Sequence, residues 1–152
     1  MFAPLLNPEL PEPEFNKQQG LRRYSLKTAL IALREIVGQI QFHNTALEYP
    51  WLVDELLLFG SVHRAAPKVG DLDLYVSAEL RSGWSGRQAL DWCRDKYPAW
   101  YFKTGTGRYS WEYHLLKDLR AGRKVVSFCK HNPRILGWPH VSVPLIPGMD
   151  WS

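Results

Sequence analysis

Asp71 and Asp73 sit two residues apart, shortly after a Gly60-Ser61 pair that closes the apolar run Leu56-Leu57-Leu58-Phe59. Two carboxylates on one strand face, roughly 6.5 Å apart along the backbone, can hold hard divalent cations, and such cations bridge to substrate phosphates. Gly60 has no Cβ, so the backbone there can come close to a ligand. Ser61 would then open a short helix over 62–66, with free N–H groups facing an anion such as a triphosphate. His63, Arg64 and Lys68 surround the same spot. The chemistry these residues suggest is metal-assisted handling of a phosphorylated substrate.

Such a site needs two strands and supporting helices. Leu72, Leu74 and Val76 alternate with Asp71 and Asp73, which predicts a strand with its apolar side inward. Pro67 ends the short helix, and Gly70 permits a turn into the strand. Upstream, over 24–43, Leu26, Ala29, Leu30, Leu33, Ile36, Val37 and Ile40 recur at helical spacing and predict a helix packed on the sheet. Downstream, Ser85 with Gln88 three residues on marks a capped helix running to about Tyr97, before Pro98, with Ala89, Trp92 and Cys93 inward.

Gly60-Ser61, Arg64 and the Asp71-Leu72-Asp73-Leu74 block resemble the signature of the DNA polymerase β-like nucleotidyltransferase superfamily, in particular its minimal nucleotidyltransferase branch. The resemblance covers about 25 residues directly and implies an α+β fold, a small mixed β-sheet backed by helices. It also implies catalysis by Asp71 and Asp73 with Mg²⁺ or Mn²⁺, and binding of ATP or another nucleoside triphosphate at Gly60, Ser61, Arg64 and Lys68. The acceptor would be an RNA or tRNA, a protein or a small hydroxylated molecule, and toxin–antitoxin pairs with a separately encoded partner are one implied setting. A third acidic residue is expected on a strand next to the Asp-x-Asp strand.

Glu112 is the candidate for that third position, as both catalytic group and metal ligand. Tyr109, Trp111, Tyr113 and Leu115 alternate with polar residues and read as a strand, although Trp111, Leu115, Leu116 and Leu119 before Gly122 fit a competing helix. The later short strands, over 124–129 and 141–146, offer Ser127 or Ser142 where a carboxylate could stand, and Asp118 and Asp150 fall in expected loops. A non-catalytic module of the same fold, acting as an antitoxin or as a nucleic-acid or protein adaptor, is the alternative that this gap suggests.

The rest of the chain bounds the reading. Its 152 residues fit one domain, expected over 21–152, behind a flexible proline-rich arm over 1–20. Lys and Arg number 19 against 15 Asp and Glu, a mild excess compatible with a polyanionic partner. Cys93 and Cys129 form no Cys-x-x-Cys pair, and no apolar run reaches membrane-spanning length, so a reducing cytoplasm is expected. Cys129, His131 and His140 match no common zinc spacing. The Thr104-Gly105-Thr106-Gly107 stretch lacks the lysine ending of a P-loop and reads as a hairpin or mobile loop.

Overall fold

The computed structural model describes residues 5–11, 24–97 and 110–146. The fold is α+β. Strand β1 (Tyr24–Ser25) leads into helix α1 (Leu26–Thr45), followed by β2 (Trp51–Phe59), the one-turn helix α2 (Gly60–His63), β3 (Lys68–Val69) and β4 (Leu72–Leu80). Then come α3 (Gly86–Lys96), α4 (Trp111–Arg120), β5 (Val126–Phe128), α5 (Pro133–Leu136) and β6 (His140–Ser142). β1 and β3 form a small antiparallel pair. The main sheet has the order β5-β4-β2-β6, antiparallel except for the parallel β4/β5 pair.

Helix α1 starts at Ser25, whose hydroxyl accepts from the Thr28 amide at 3.2 Å. Its buried residues, Ala29, Ala32, Leu33, Ile36, Val37, Ile40 and His43, make one face. That face meets Leu56 and Leu58 of β2 and Leu72 and Leu74 of β4 in a single core, to which α3 adds Ala89 and Cys93 and α4 adds Leu115 and Leu119. The predicted capping box of α3 is present: the Ser85 hydroxyl accepts from the Gln88 amide, and the Gln88 side chain accepts from the Ser85 amide.

At the far end of β2 the core turns polar in an ordered way. Trp51 Nε1 donates to His43 Nδ1 at 3.1 Å, and His43 Nε2 faces Asp118 Oδ2 at 2.9 Å. An indole N–H can only donate, so Nδ1 must be the accepting nitrogen and Nε2 carries the proton given to Asp118. The Tyr49 ring stacks on His43 at 4.1 Å.

Three expectations are corrected here. The stretch around Glu112 is helix α4 and not a strand. Trp111, His114, Leu115 and Leu119 are its buried residues, at helical spacing, whereas the alternation that suggested a strand buries only Trp111 and Leu115 among the described residues. Ala121 at φ 48° and Gly122 at φ 73° end the helix in left-handed turns. Strands β2 and β4 also run longer than the sequence suggests, pairing from Trp51 with Leu80 through to Phe59 with Asp73.

The third correction concerns the arm, because residues 5–11 pack on the domain. Leu5 is 4% exposed and belongs to the core. The Asn7 amide donates to the His63 carbonyl at 2.7 Å, and the buried His63 ring gives its Nδ1 proton to the Leu5 carbonyl at 2.6 Å. The Thr-Gly-Thr-Gly loop lies outside the described residues, as does Asp150. No described helix is long and apolar enough to cross a membrane.

Candidate active site

Strand pairing sets the site. Paired residues of neighbouring strands point to the same face. Leu72 with Val126, and Leu58 with Leu74, face the core. Ser127, Asp73, Phe59 and His140 therefore form a row across β5, β4, β2 and β6 on the opposite face. The strand β2 delivers Gly60 to the end of this row, where the chain turns into α2.

Gly60 has φ 76°, a left-handed conformation that suits glycine. It also lies against Asp73: a Cβ built on Gly60 would overlap Asp73 Oδ2 and stand 3.1 Å from Cγ. The carboxylate is pressed onto bare backbone. Burial, followed by the charge of Asp71, raises the Asp73 carboxyl from 3.8 to about 7, with the Arg64 guanidinium pulling the other way. Arg64 supplies charge to the site, but its Nε is buried with no hydrogen-bond partner.

These observations test the fit of a metal and a phosphate. Two acidic groups whose joint ionisation is opposed are short of positive charge, which a divalent cation supplies. A buried, unmatched guanidinium N–H suits an anionic oxygen. The carboxylates of Asp71 and Asp73 and the orphaned Arg64 Nε are thus the types of group that a metal-bound polyphosphate needs. Among the described residues, no three His, Cys, Asp or Glu side chains are grouped to hold a metal ion.

The remaining sequence candidates are scattered. Asp71 precedes β4 and is exposed. It lines a groove of about 420 Å³ with Lys117, Arg120, Lys124 and Ser127, while Asp73 lines a separate cleft. Ser61 lies in α2, half-buried, and its carbonyl accepts from the Ala66 amide at 3.0 Å. Lys68 is exposed in β3, paired with Ser25, and does not line the Asp73 cleft. Glu112 sits exposed in the first turn of α4, in a groove with Arg87, Asp91 and Arg94. The expected strand that would have carried Glu112 beside the aspartates does not exist. In register with Asp73 on β5 stands Ser127.

The cleft around Asp73 holds about 550 Å³, within the size range of small-molecule sites. Its walls include residues that sequence reasoning did not assign to it: Leu10 and Pro11 from the arm, and Trp138 and Pro139 from the α5–β6 connection. The Gly137-Trp138-Pro139 sequence carried the signal of a turn, but its place at the mouth of the site depends on β6 pairing with β2. Comparison with protein-family models, with curated proteins and with solved structures finds no match.

Proposed function

We propose that this chain is a nucleotidyltransferase-like protein that moves a nucleoside monophosphate from a nucleoside triphosphate to a hydroxyl of an RNA, a protein or a small molecule. The observation that carries the reading is the Asp73 carboxylate, pressed against Gly60, opposed by the charge of Asp71 and flanked by the unmatched Arg64. Asp71 and Asp73 would hold Mg²⁺ or Mn²⁺, which when bound neutralises phosphate charge and aligns the reacting groups. Gly60 leaves room for Asp73 to lie against the backbone at the end of β2, and Arg64 takes phosphate oxygens. The acceptor oxygen bonds to the α-phosphorus while the bond to the leaving oxygen breaks. Pyrophosphate departs and the hydroxyl proton passes to water. The two unpaired thiols, Cys93 and Cys129, suit a reducing cytoplasm.

Ser127 favours a second reading. It occupies the β5 position in register with Asp73, where a third carboxylate would be expected. The protein would then bind a metal–nucleotide without turning it over, as an antitoxin or as a nucleic-acid or protein adaptor. One experiment separates the two. Wild type, Asp71→Asn/Asp73→Asn and Ser127→Asp are incubated with Mg²⁺, each labelled triphosphate and total RNA or lysate, beside a binding measurement. Label transfer by wild type that vanishes in the double variant supports the enzyme. Binding without transfer, with transfer appearing only in Ser127→Asp, supports the module. Absence of Mg²⁺-dependent nucleotide binding refutes both.

A further inference from the structure

The cleft around Asp73 is lined by two kinds of residue: the polar Asp73, His63 and Arg64 beside Gly60, and the apolar Phe59, Trp138, Pro139, Leu10 and Pro11. We propose that the apolar part, at Phe59 and Trp138, is a nucleobase subsite in which the Trp138 indole is the stacking face. This rests on reading the cleft as a nucleotide site, and it names the part of the ligand that the polar residues cannot recognise.

Trp138 is built to hold that position. Its amide donates to the Pro133 carbonyl at 3.0 Å, and its carbonyl accepts the Nδ1 proton of His140 at 2.8 Å. The α5 turn before it is fastened to β2 by a two-pronged pair, Arg134 Nη1 to Glu55 Oε1 at 3.0 Å and Nη2 to Oε2 at 2.8 Å. Gly137, at φ 71°, makes the bend between them. The backbone on both sides of the indole is therefore fixed. Trp138 is 46% exposed, and its ring meets that of Phe59 at 5.8 Å, tilted by 37°.

A large aromatic side chain left in water while its backbone is locked is costly to leave uncovered, and a planar heterocycle covers it well. Phe59 pairs with Asp73 across β2 and β4, so the apolar part of the lining begins directly beside the carboxylate. Leu10 and Pro11 close the other side, held there by the His63 contacts to Leu5 and Asn7.

The test is calorimetric titration of the full chain in Mg²⁺ with ATP and, separately, inorganic tripolyphosphate. Wild type should bind ATP more tightly than tripolyphosphate. Trp138→Ala should lose about tenfold or more in ATP affinity and leave tripolyphosphate unchanged, while Trp138→Phe keeps most of the ATP affinity. Equal affinities in wild type, or a Trp138→Ala loss shared by both ligands, would overturn the subsite while leaving the phosphate site standing. If neither ligand binds wild type, the nucleotide reading itself falls, and the subsite with it.

Discussion

Replacing Asp73 by Asn should make the protein more stable, by an amount that depends on pH. The Asp73 carboxyl ionises at about 7 in the folded chain against 3.8 as an ordinary aspartate, because it is partly withdrawn from water and feels the charge of Asp71. Between those two values the folded protein holds a proton that the unfolded chain has released, so stability falls as pH rises through the window and levels off above it. At 1.36 kcal/mol per pH unit, the full penalty above neutrality is about 4 kcal/mol. Asn has the same shape and no charge to lose. The stability advantage of Asp73→Asn, from urea titrations, should therefore grow by about 2 kcal/mol between pH 5 and 7, level off above neutrality and stay constant from pH 8 to 9. Following the slope removes any constant packing difference between the two side chains. At pH 8, added Mg²⁺ should stabilise wild type and not the variant, since a cation held by the ionised carboxylate offsets the penalty. An advantage that stays flat to within about 0.5 kcal/mol across this range would refute the half-buried, charge-opposed Asp73.

Other perturbations test neighbouring parts. Gly60→Ala places a Cβ on Asp73 Oδ2 at a left-handed φ, and should cost at least about 2 kcal/mol in urea unfolding; a neutral effect would contradict the close approach. Arg64→Ala should weaken tripolyphosphate binding about tenfold in calorimetry, and an unchanged affinity would remove Arg64 from the site. Glu112→Gln should alter Mg²⁺-dependent nucleotide binding less than about twofold, because Glu112 faces the α3–α4 groove, and a tenfold loss would restore it as a ligand. His43→Phe leaves the buried Trp51 N–H without its acceptor and should lower stability by about 1–3 kcal/mol, with nucleotide affinity unaffected.

Short-range chemistry was the legible part of the sequence. The Ser85 cap and the apolar face of α1 depend on residues close in the chain, and both appear as expected, whereas the packing of Asp73 against the bare backbone of Gly60 was not foreseen. Two kinds of information were not legible. The choice of helix or strand around Glu112 turned on whether Leu119 joined the core, and that depends on α1 and α3 packing beside it. The membership of the cleft turned on β6 pairing with β2 and on Leu5 reaching His63 from 58 residues away. Ser127 illustrates both sides of the limit. Its residue type could be read at once, but its register with Asp73 came from the parallel β4/β5 pairing. That register is what makes a missing carboxylate meaningful.

The clip between His63 and the arm makes the cleft observable from outside it. Leu10 and Pro11 line the cleft, and Leu5 and Asn7 are fastened to α2. Any ligand that leans on that wall would shift the arm's docking equilibrium by the same factor by which the docked arm tightens the ligand. The Asn7 amide, which donates to the His63 carbonyl at 2.7 Å, is thus a built-in reporter. Its rate of hydrogen exchange would register occupancy of the cleft with no label on the ligand and no knowledge of the acceptor.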